Sequence, residues 1–427
     1  MHCTATNLGT KRRVNISNAG PRFYSTKPAA SAIRCALTAA ALAALLAIAA
    51  RPAEAQTETV LYNFAGGNNA ANPESLLTSD SAGNFYGTTL HGGLGYGTVF
   101  KLSPNGTGGW NETVLHRFTG GTDGEYPQHS NVIFDSLGNL YGTAAGGGRY
   151  GGGVVFELRP AATSWTETTL YAFTGGTDGV APRGGLIMSP AGNLYGTFGG
   201  GRYTAHFGGV FELSPSGGNW VENVIYSGST SNLTAPGVTM DAMGNIFGVV
   251  SSKVVELSPN GSGGWNPAVL LTFTSNLAEV DTPKLDQAGK LYGMTALGGA
   301  HGCGKVYQLK KGNTGTWTGK NLYSFQCPSQ SGYNGDGYYP LGSLVFDAAG
   351  NIYGTTNKGG ASNEGTIFEL VAPVGTGSYI EKILWSFNGA KGGSPSDGLI
   401  LDSAGHFYGT TSYGGSHGYG VVFEVRP

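Results

Sequence analysis

Residues Asp347 to Leu370 read DAAGNIYGTTNKGGASNEGTIFEL, and this stretch decides the fold because copies of it recur along the chain. Its central segment has the pattern Gly-Asn-apolar-Tyr-Gly-Thr, with three further clear copies and three degenerate ones. The second glycine of the seven copies lies at positions 87, 142, 196, 248, 293, 354 and 409, which are 45 to 61 residues apart. A period of this length is typical of solenoids and propellers, so the chain is a tandem array of seven units.

Each unit contains four strand-like segments, which we name a, b, c and d. In the first unit they are residues 75–80, 84–89, 98–102 and 112–118, and clusters of Gly, Pro, Asn and Asp separate them, as expected of strands. Seven repeats of four short antiparallel strands fit a propeller better than a sandwich or a β-helix. The sequence therefore predicts an all-β fold, a seven-bladed β-propeller with four antiparallel strands per blade.

The two ends of the repeat array complement each other. Residues 58–64 form a d strand without a, b and c before it, whereas the last unit supplies a, b and c only, at 399–402, 406–410 and 421–425. Pairing these segments removes an exposed sheet edge. We therefore expect the last blade to be closed by the N-terminal strand.

Composition limits the class of protein and its partners. Glycine accounts for 75 of the 427 residues and charged residues for only 12%, which argues against long solvated helices, and no collagen period is present. After residue 55 the chain has 17 basic and 25 acidic residues, a formal charge of −8. Because such a charge repels phosphate backbones, no nucleic acid is expected among the partners.

Residues 1–55 have the layout of an export signal. This segment contains seven basic residues. An apolar run extends from Cys35 to Ala50, and Ala53-Glu54-Ala55 fits a signal-peptidase site. We expect cleavage before Gln56, a single domain over 56–427 with no membrane span, and a periplasmic or extracellular location. The alternative is an uncleaved anchor, but the run of 16 residues is shorter than the roughly 20 that a span needs.

Several repeated residues have structural interpretations. The Asp of each Asp-x-x-Gly-Asn turn, such as Asp347, is interpreted as turn chemistry. The second glycine of strand b is expected to admit another backbone. The tyrosine before it is expected to pack between blades. The tryptophans that open the d strands are interpreted as packing residues, with sugar binding as the alternative. The c-strand acids are expected at solvated outer positions: Glu157, Glu212, Glu256 and Glu369.

The repeat resembles the GloVer (Gloeo_Verruco) tandem repeat of exported bacterial proteins, and Asp347 to Leu370 fits that pattern almost throughout. Units four and five depart from it: Val249 replaces the Thr and Lys290 replaces the Asn. The Gly-Gly after strand b and the Trp before strand d are also similar to kelch repeats. The resemblance implies a propeller and an exported location, and it implies no established activity.

Two cysteines follow the leader, Cys303 and Cys327. Strands c and d of unit five are antiparallel neighbours, so if Lys305 faces Phe325, the two cysteines face each other. The sequence thus predicts a disulfide, which would add roughly 3 kcal/mol through loop entropy. Free thiols, or a metal site shared with His301, are the alternatives, although a zinc site needs more ligands.

Enzyme motifs are absent from the sequence: there is no nucleophile elbow, zinc-protease motif, phosphate loop or calcium loop. No catalytic residue is therefore assigned, and neither a cofactor nor a metal is expected. A pair of carboxylates assembled from different blades would escape a search of this kind.

Strand direction places the b–c loops and the d–a loops on one side of the propeller, and these loops are rich in Tyr, His and Gly. Such side chains stack on sugar rings and bond hydroxyl groups. The candidate ligand-binding residues are Tyr96, Asp123, Tyr150, Asp178, His206, His301, Asp336, Tyr413, His417 and Tyr419.

The sequence favours a secreted binding or scaffold module for extracellular carbohydrate or a surface protein. Two alternatives stay open: a polysaccharide hydrolase or lyase that uses the same face, and a structural surface or matrix protein.

Overall fold

A computed structural model describes residues 56–200, 208–228, 236–273, 281–328 and 336–427. Within these ranges the chain forms seven antiparallel sheets and no helix. The predicted seven-bladed β-propeller with four strands per blade is confirmed. The leader expected over residues 1–55 lies outside the described residues.

The seven sheets follow one another along the chain, except that the first strand belongs to the last blade. Strand a is split in blade 1, where two short strands pair with the same strand b. The strands are β1 (Thr57–Asn63) in blade 7; β2 (Ala70–Pro73), β3 (Thr78–Ser79), β4 (Phe85–Gly92), β5 (Thr98–Pro104) and β6 (Trp110–Arg117) in blade 1; β7 (Ile133–Phe134), β8 (Leu140–Ala144), β9 (Val154–Pro160) and β10 (Trp165–Ala172) in blade 2; β11 (Val180–Met188), β12 (Leu194–Gly199), β13 (Gly209–Ser216) and β14 (Asn219–Ser227) in blade 3; β15 (Thr239–Met240), β16 (Ile246–Val250), β17 (Lys253–Pro259) and β18 (Trp265–Thr272) in blade 4; β19 (Lys284–Leu285), β20 (Leu291–Thr295), β21 (Lys305–Lys311) and β22 (Trp317–Ser324) in blade 5; β23 (Gly337–Phe346), β24 (Ile352–Gly359), β25 (Thr366–Val371) and β26 (Ile380–Ser386) in blade 6; and β27 (Ile400–Leu401), β28 (Phe407–Thr411) and β29 (Val421–Arg426) in blade 7.

Strand β1 completes blade 7. It pairs antiparallel with β29, from Thr57 opposite Arg426 to Asn63 opposite Val421. Phe64, directly after β1, is fully buried in a core shared by blades 7 and 1. The predicted closure by the N-terminal strand is confirmed.

The a–b turns are held by their aspartates. Asp347 Oδ1 accepts hydrogen bonds from the backbone N–H groups of Ala349 (2.9 Å) and Asn351 (2.8 Å). Its Oδ2 accepts from Asn351 Nδ2 at 2.8 Å and from the Tyr353 hydroxyl at 2.9 Å. Asp80 and Asp135 make the same four bonds in blades 1 and 2. The repeated aspartate is turn chemistry, as the sequence predicts.

The repeated glycine of strand b has a different role from the one expected. Gly142 lies opposite Phe156 of strand c, and a methyl group on it would lie 2.6 Å from the buried Phe156 ring. The expectation that this glycine admits another backbone is wrong, because it admits an aromatic ring of its own sheet. The pair recurs in blades 1, 3, 6 and 7, as Gly87–Phe100, Gly196–Phe211, Gly354–Phe368 and Gly409–Phe423.

Aromatic residues fill the seams between blades, as predicted. The Tyr86 ring of blade 1 meets Phe134 of blade 2 edge-on, with centroids 5.0 Å apart. Trp265, which opens strand d of blade 4, packs against Tyr195 of blade 3 with centroids 5.8 Å apart. Neighbouring blades therefore share their cores.

The c-strand glutamates lie at these seams as well, and the expectation of solvated outer positions is wrong. Glu157 is 2% exposed and accepts a hydrogen bond from the Tyr141 hydroxyl at 2.8 Å. Glu256 is 4% exposed and accepts from Lys311 Nζ (2.8 Å) and Trp317 Nε1 (2.9 Å) of the next blade. Glu212 and Glu369 are half-buried and accept from the hydroxyls of Tyr195 and Tyr353.

The disulfide between Cys303 and Cys327 is present, with the Cα atoms 5.2 Å apart. The expected register is wrong by one residue, because Lys305 lies opposite Ser324 and not opposite Phe325. The bond forms nevertheless, since Cys303 precedes strand c and Cys327 follows strand d. In blades 1 and 7 a tyrosine ring packs on a glycine at the corresponding place, Tyr96 on Gly120 and Tyr419 on Gly66.

Half-buried glutamates of the d strands give the fold a predictable pH dependence. Burial, with a smaller contribution from the Asp178 charge, raises the pKa of Glu222 to about 7. Burial likewise raises the pKa values of Glu58, Glu167 and Glu381 to about 7. The folded state binds these protons more tightly than the unfolded state does, so the free energy of unfolding falls as the pH rises from about 4.5 to 7. His129, whose pKa burial lowers to about 4, and His116, whose pKa burial also lowers, act in the opposite direction, but they are two groups against these four.

We therefore expect a higher melting temperature at pH 5 than at pH 8, measured by circular dichroism. Glu222→Gln removes one of the ionisations and is expected to flatten the pH dependence. Val221→Gln, at the neighbouring and 54% exposed position, is the control and leaves the dependence unchanged. A melting temperature that rises between pH 5 and pH 7 would contradict this account.

Candidate functional site

The b–c and d–a loops lie on one face of the propeller, which we call the loop face. Glu125 of a d–a loop bridges to Gly146 of the b–c loop in blade 2, and Gly393 bridges to Tyr413 in the same way in blade 7. The a–b turns and c–d loops form the opposite face, which we call the turn face.

A repeated latch joins loops of adjacent blades on the loop face. The N–H of Tyr126 donates to the Tyr96 carbonyl of the preceding blade at 2.8 Å. The ring of Pro127 then packs against Gly97, which ends that b–c loop. The residue before the proline has a positive φ of 50–56° in five blades, at Asn72, Tyr126, Ala181, Tyr339 and Ser394. Residues rarely adopt this conformation, so the latch fixes the loops in place.

Four of the predicted tyrosines form an arc on the loop face. Tyr413 and Tyr419 of blade 7, Tyr96 of blade 1 and Tyr150 of blade 2 are 57%, 44%, 36% and 55% exposed. Because these blades are consecutive, the sequence prediction brings together aromatic rings from neighbouring loops. We call these four residues the tyrosine arc.

The tyrosine arc is held by its surroundings. A methyl group on Gly120 or Gly66 would overlap the Tyr96 or Tyr419 ring, so each ring lies flat against a glycine. The Arg149 guanidinium lies 5.5 Å from the centroid of the Tyr150 ring. Rings with one side supported and the other exposed are suited to stacking on a ligand.

The three predicted aspartates are engaged within their own loops. Asp178 accepts from the Thr174 N–H (2.7 Å) and hydroxyl (2.6 Å) and from the Tyr171 hydroxyl (3.0 Å). Burial pushes the pKa of Asp178 upward, but these hydrogen bonds outweigh it and the pKa is lowered. Asp123 accepts from Thr119 and His116, and Asp336 from Gln326 and Tyr323. Their contacts are those of turn residues.

The predicted histidines are spread around the loop face. His301 in blade 5 and His417 in blade 7 are exposed, whereas His206 lies outside the described residues. Over the residues that the structure describes, no three His, Cys, Asp or Glu side chains are grouped so that they could hold a metal ion.

Blade 4 has the shortest b–c connection. Ser251 and Ser252 join β16 to β17, and both have positive φ values, 51° and 61°. Two such residues are typical of a type I′ hairpin. The b–c connection of blade 4 is therefore a tight turn.

A cavity of about 420 Å³ is lined by residues from the a strands of all seven blades, and it marks the central channel. Its titratable residues are His129 of blade 2, Arg183 of blade 3, Asp281 and Lys284 of blade 5 and Asp397 of blade 7. Sequence reasoning named none of these as site residues.

Burial dominates the electrostatics of the channel. It raises the pKa of Asp397 to about 6, against the Gly398 N–H and the Lys284 charge, which lower it. Burial and the Asp397 charge raise the pKa of Asp281 well above its usual value. Burial and then the Arg183 charge lower the pKa of His129 to about 4. The channel therefore holds two carboxyl groups that are weaker acids than usual and an imidazole that is a weaker base than usual.

An alignment of the seven repeat units would have identified Asp281 and Asp397. Asp281 and Asp397 stand at equivalent positions, thirteen residues before Met294 and Thr410, which directly follow the b-strand glycine. The other blades have small or nonionic residues there, namely Ser75, Ser130, Gly184, Pro236 and Gly342. An acid at this position is therefore a departure from the repeat.

The model of the Gloeobacter/Verrucomicrobia repeat matches residues 49–258 and 254–427. The chain belongs to this repeat family. The GloVer resemblance is thus confirmed over the whole propeller. No curated protein sequence matches the chain significantly.

Solved structures similar to this GloVer chain are propellers of low sequence identity. Virginiamycin B lyase from Staphylococcus aureus shares 11% identity with a TM-score of 0.52, over 87% of this chain and 99% of that one. The extracellular domain of a hybrid two component system from B. thetaiotaomicron shares 11% identity with a TM-score of 0.55, over 87% of this chain and 42% of that one. At this identity the two likenesses establish the fold alone.

The described part of the GloVer chain contains no helix long and apolar enough to cross a membrane.

Proposed function

We propose that this chain is an exported, non-catalytic propeller that binds extracellular carbohydrate through its loop face. The observation that carries the proposal is the tyrosine arc, four rings at least 36% exposed on three consecutive blades. Grouped exposed aromatic residues mark interaction sites, and rings supported on one side suit the flat faces of sugars.

Two observations support export. The disulfide Cys303–Cys327 is of the kind that persists in oxidising compartments. The leader over residues 1–55 has a basic region, an apolar run and a cleavage pattern, and the propeller begins directly after it. We place the mature domain at 56–427, in the periplasm or outside the cell.

A polysaccharide hydrolase or lyase is the second candidate, and the channel favours it. Asp281 and Asp397 are carboxyl groups on different blades that line one cavity, and burial raises the pKa of both. Carboxyl groups with raised pKa values that share a cavity are candidates for acid–base catalysis. A surface-protein ligand and a matrix role are the remaining alternatives.

The test is a binding screen of residues 56–427 against soluble and insoluble polysaccharides, with bound protein and released sugar measured in the same wells. We expect binding without release. Tyr150→Ala and Tyr413→Ala are each expected to weaken binding roughly 3- to 10-fold, the value of one aromatic contact. Leu137→Ala is the control, because Leu137 is 81% exposed in an a–b turn of the turn face.

The outcomes separate the candidates. Release of reducing ends or unsaturated sugars would replace the binding module with the enzyme. Absence of binding to every polysaccharide would overturn the carbohydrate proposal. Self-assembly or capture of a surface protein would then support one of the two remaining alternatives.

A further inference from the structure

Blade 5 departs from the repeat at the centre of its sheet. Tyr307 of strand c stands where blades 1, 2, 3, 6 and 7 have a fully buried phenylalanine. Its side chain is 2% exposed, and the hydroxyl group reaches over Gly293, whose added methyl group would overlap it. Among the described residues the hydroxyl has no hydrogen-bond partner. Five blades show that Phe fits this place, so the hydroxyl is not needed for packing.

The second unsatisfied polar group of blade 5 belongs to Asp281. Its Oδ1 accepts a hydrogen bond from the Thr282 N–H at 2.6 Å, whereas Oδ2 is buried and has no partner in the described part of the chain. The Asp281 charge raises the pKa of the Tyr307 phenol, after burial, so the two groups lie within electrostatic reach of each other. Buried polar groups in native proteins are almost always satisfied, and two orphans in one blade call for a missing partner.

The channel next to Asp281 has the character of a site for hydroxyl groups. Lys284 lines the cavity together with Asp281 and Asp397, and its charge lowers the pKa of both carboxyl groups. The lining has two acids, Asp281 and Asp397, and two cations, Lys284 and Arg183, so the channel has no excess of positive groups to offer an anionic ligand. Carboxyl and ammonium groups together accept from and donate to a neutral polyhydroxy ligand.

The channel is also too confined for the middle of a polymer. The a strands close in around the axis: a methyl group on Gly185 would overlap the Asn131 side chain, and one on Gly237 would lie 2.9 Å from the Gly185 backbone. The cavity of about 420 Å³ falls in the lower part of the usual range for small-molecule pockets, about 300–1,000 Å³. A chain end can enter such a channel, whereas an internal segment would have to thread it.

We propose that Asp281, Lys284 and Asp397, with the Tyr307 hydroxyl behind them, form a subsite for the terminal sugar unit of a neutral glycan. A hydroxyl group of that sugar bonds to the Asp281 carboxyl group, and the Tyr307 phenol, which does not line the cavity, contributes through Asp281. The inference rests on the proposed function, because the tyrosine arc would bind the same chain beyond its end.

The test uses two Tyr→Phe changes within blade 5. Tyr307→Phe restores the residue that five blades have, whereas Tyr292→Phe removes a hydroxyl that bonds to Asp286 at 3.0 Å and to Gln308 at 2.7 Å. Binding of cello-, xylo-, manno- and laminarihexaose to residues 56–427 is measured by calorimetry, and the melting temperature of each variant by circular dichroism.

We expect Tyr307→Phe to weaken hexasaccharide binding at least tenfold while its melting temperature is unchanged or higher. Tyr292→Phe is expected to lower the melting temperature and to leave the affinity unchanged. Asp281→Asn is expected to weaken binding by a similar factor. This crossed pattern distinguishes a ligand contact from a structural role.

Two results would overturn the inference in different ways. If the wild type binds a hexasaccharide and Tyr307→Phe and Asp281→Asn bind equally well, the subsite is wrong and the proposed function stands. If the wild type binds none of the four sugars nor any polysaccharide, both the proposed function and the subsite fail.

Discussion

Removal of residues 56–64 is expected to abolish the folded propeller or to lower its melting temperature sharply. Blade 7 would lose strand β1, and β29 would become an unpaired edge. The loss includes Phe64, which is fully buried, and truncating such a residue alone costs about 3–5 kcal/mol. The total approaches the whole stability of a typical domain, about 5–15 kcal/mol.

The measurement is a thermal melt with size-exclusion chromatography, because an open edge also promotes association. Thr59→Ala is the control, since Thr59 is an exposed residue of the same strand. Adding a peptide of residues 56–64 is expected to restore part of the melting temperature. An unchanged melt of the truncated chain would show that β1 does not close the ring.

Gly142→Ala is expected to have the next largest effect. The new methyl group would lie 2.6 Å from Phe156 Cζ, and both residues are in the interior of blade 2, so neither can move away freely. Overpacking of this kind costs about 1–3 kcal/mol, and more where the site is rigid. Chemical denaturation of the variant provides the measurement.

Blade 4 suggests the compensating change. There Gly248 lies opposite Val255 in place of a phenylalanine. We therefore expect Phe156→Val to relieve the overlap, so that the double variant loses at least about 1 kcal/mol less than the sum of the two single losses. Additive losses would show that the Phe156 ring is not the obstacle.

Local chemistry made the blades predictable. Asp347 bonds residues two to six positions later, and the alternation of strand b places Tyr353 at a seam whichever blade follows. These contacts lie within one repeat unit, so the seven copies support the same prediction of the blade structure. The unit count and the strand order of the two ends then required closure by β1.

Relations between units were not predictable in the same way. Glu256 is buried because Lys311 and Trp317 of the next blade cover it, and the pattern of its own strand carries no sign of that. Asp281 and Asp397 line the same cavity only because the blades form a ring. The pairing expected near Cys327 was wrong by one residue, because the register of strands β21 and β22 shifts between Val306 and Tyr307. One skipped residue displaces every pair beyond it.

Blade 7 contains both the first and the last strand of the propeller, and this sets the order in which the propeller can be completed. Ser416 donates its N–H to Asn63 Oδ1, a residue 353 positions earlier, so the first strand to leave the ribosome has no partner until the last unit has been made. At about 5–20 residues per second, β1 waits for tens of seconds. Six blades can assemble in that time, but the ring stays open until the final strand arrives.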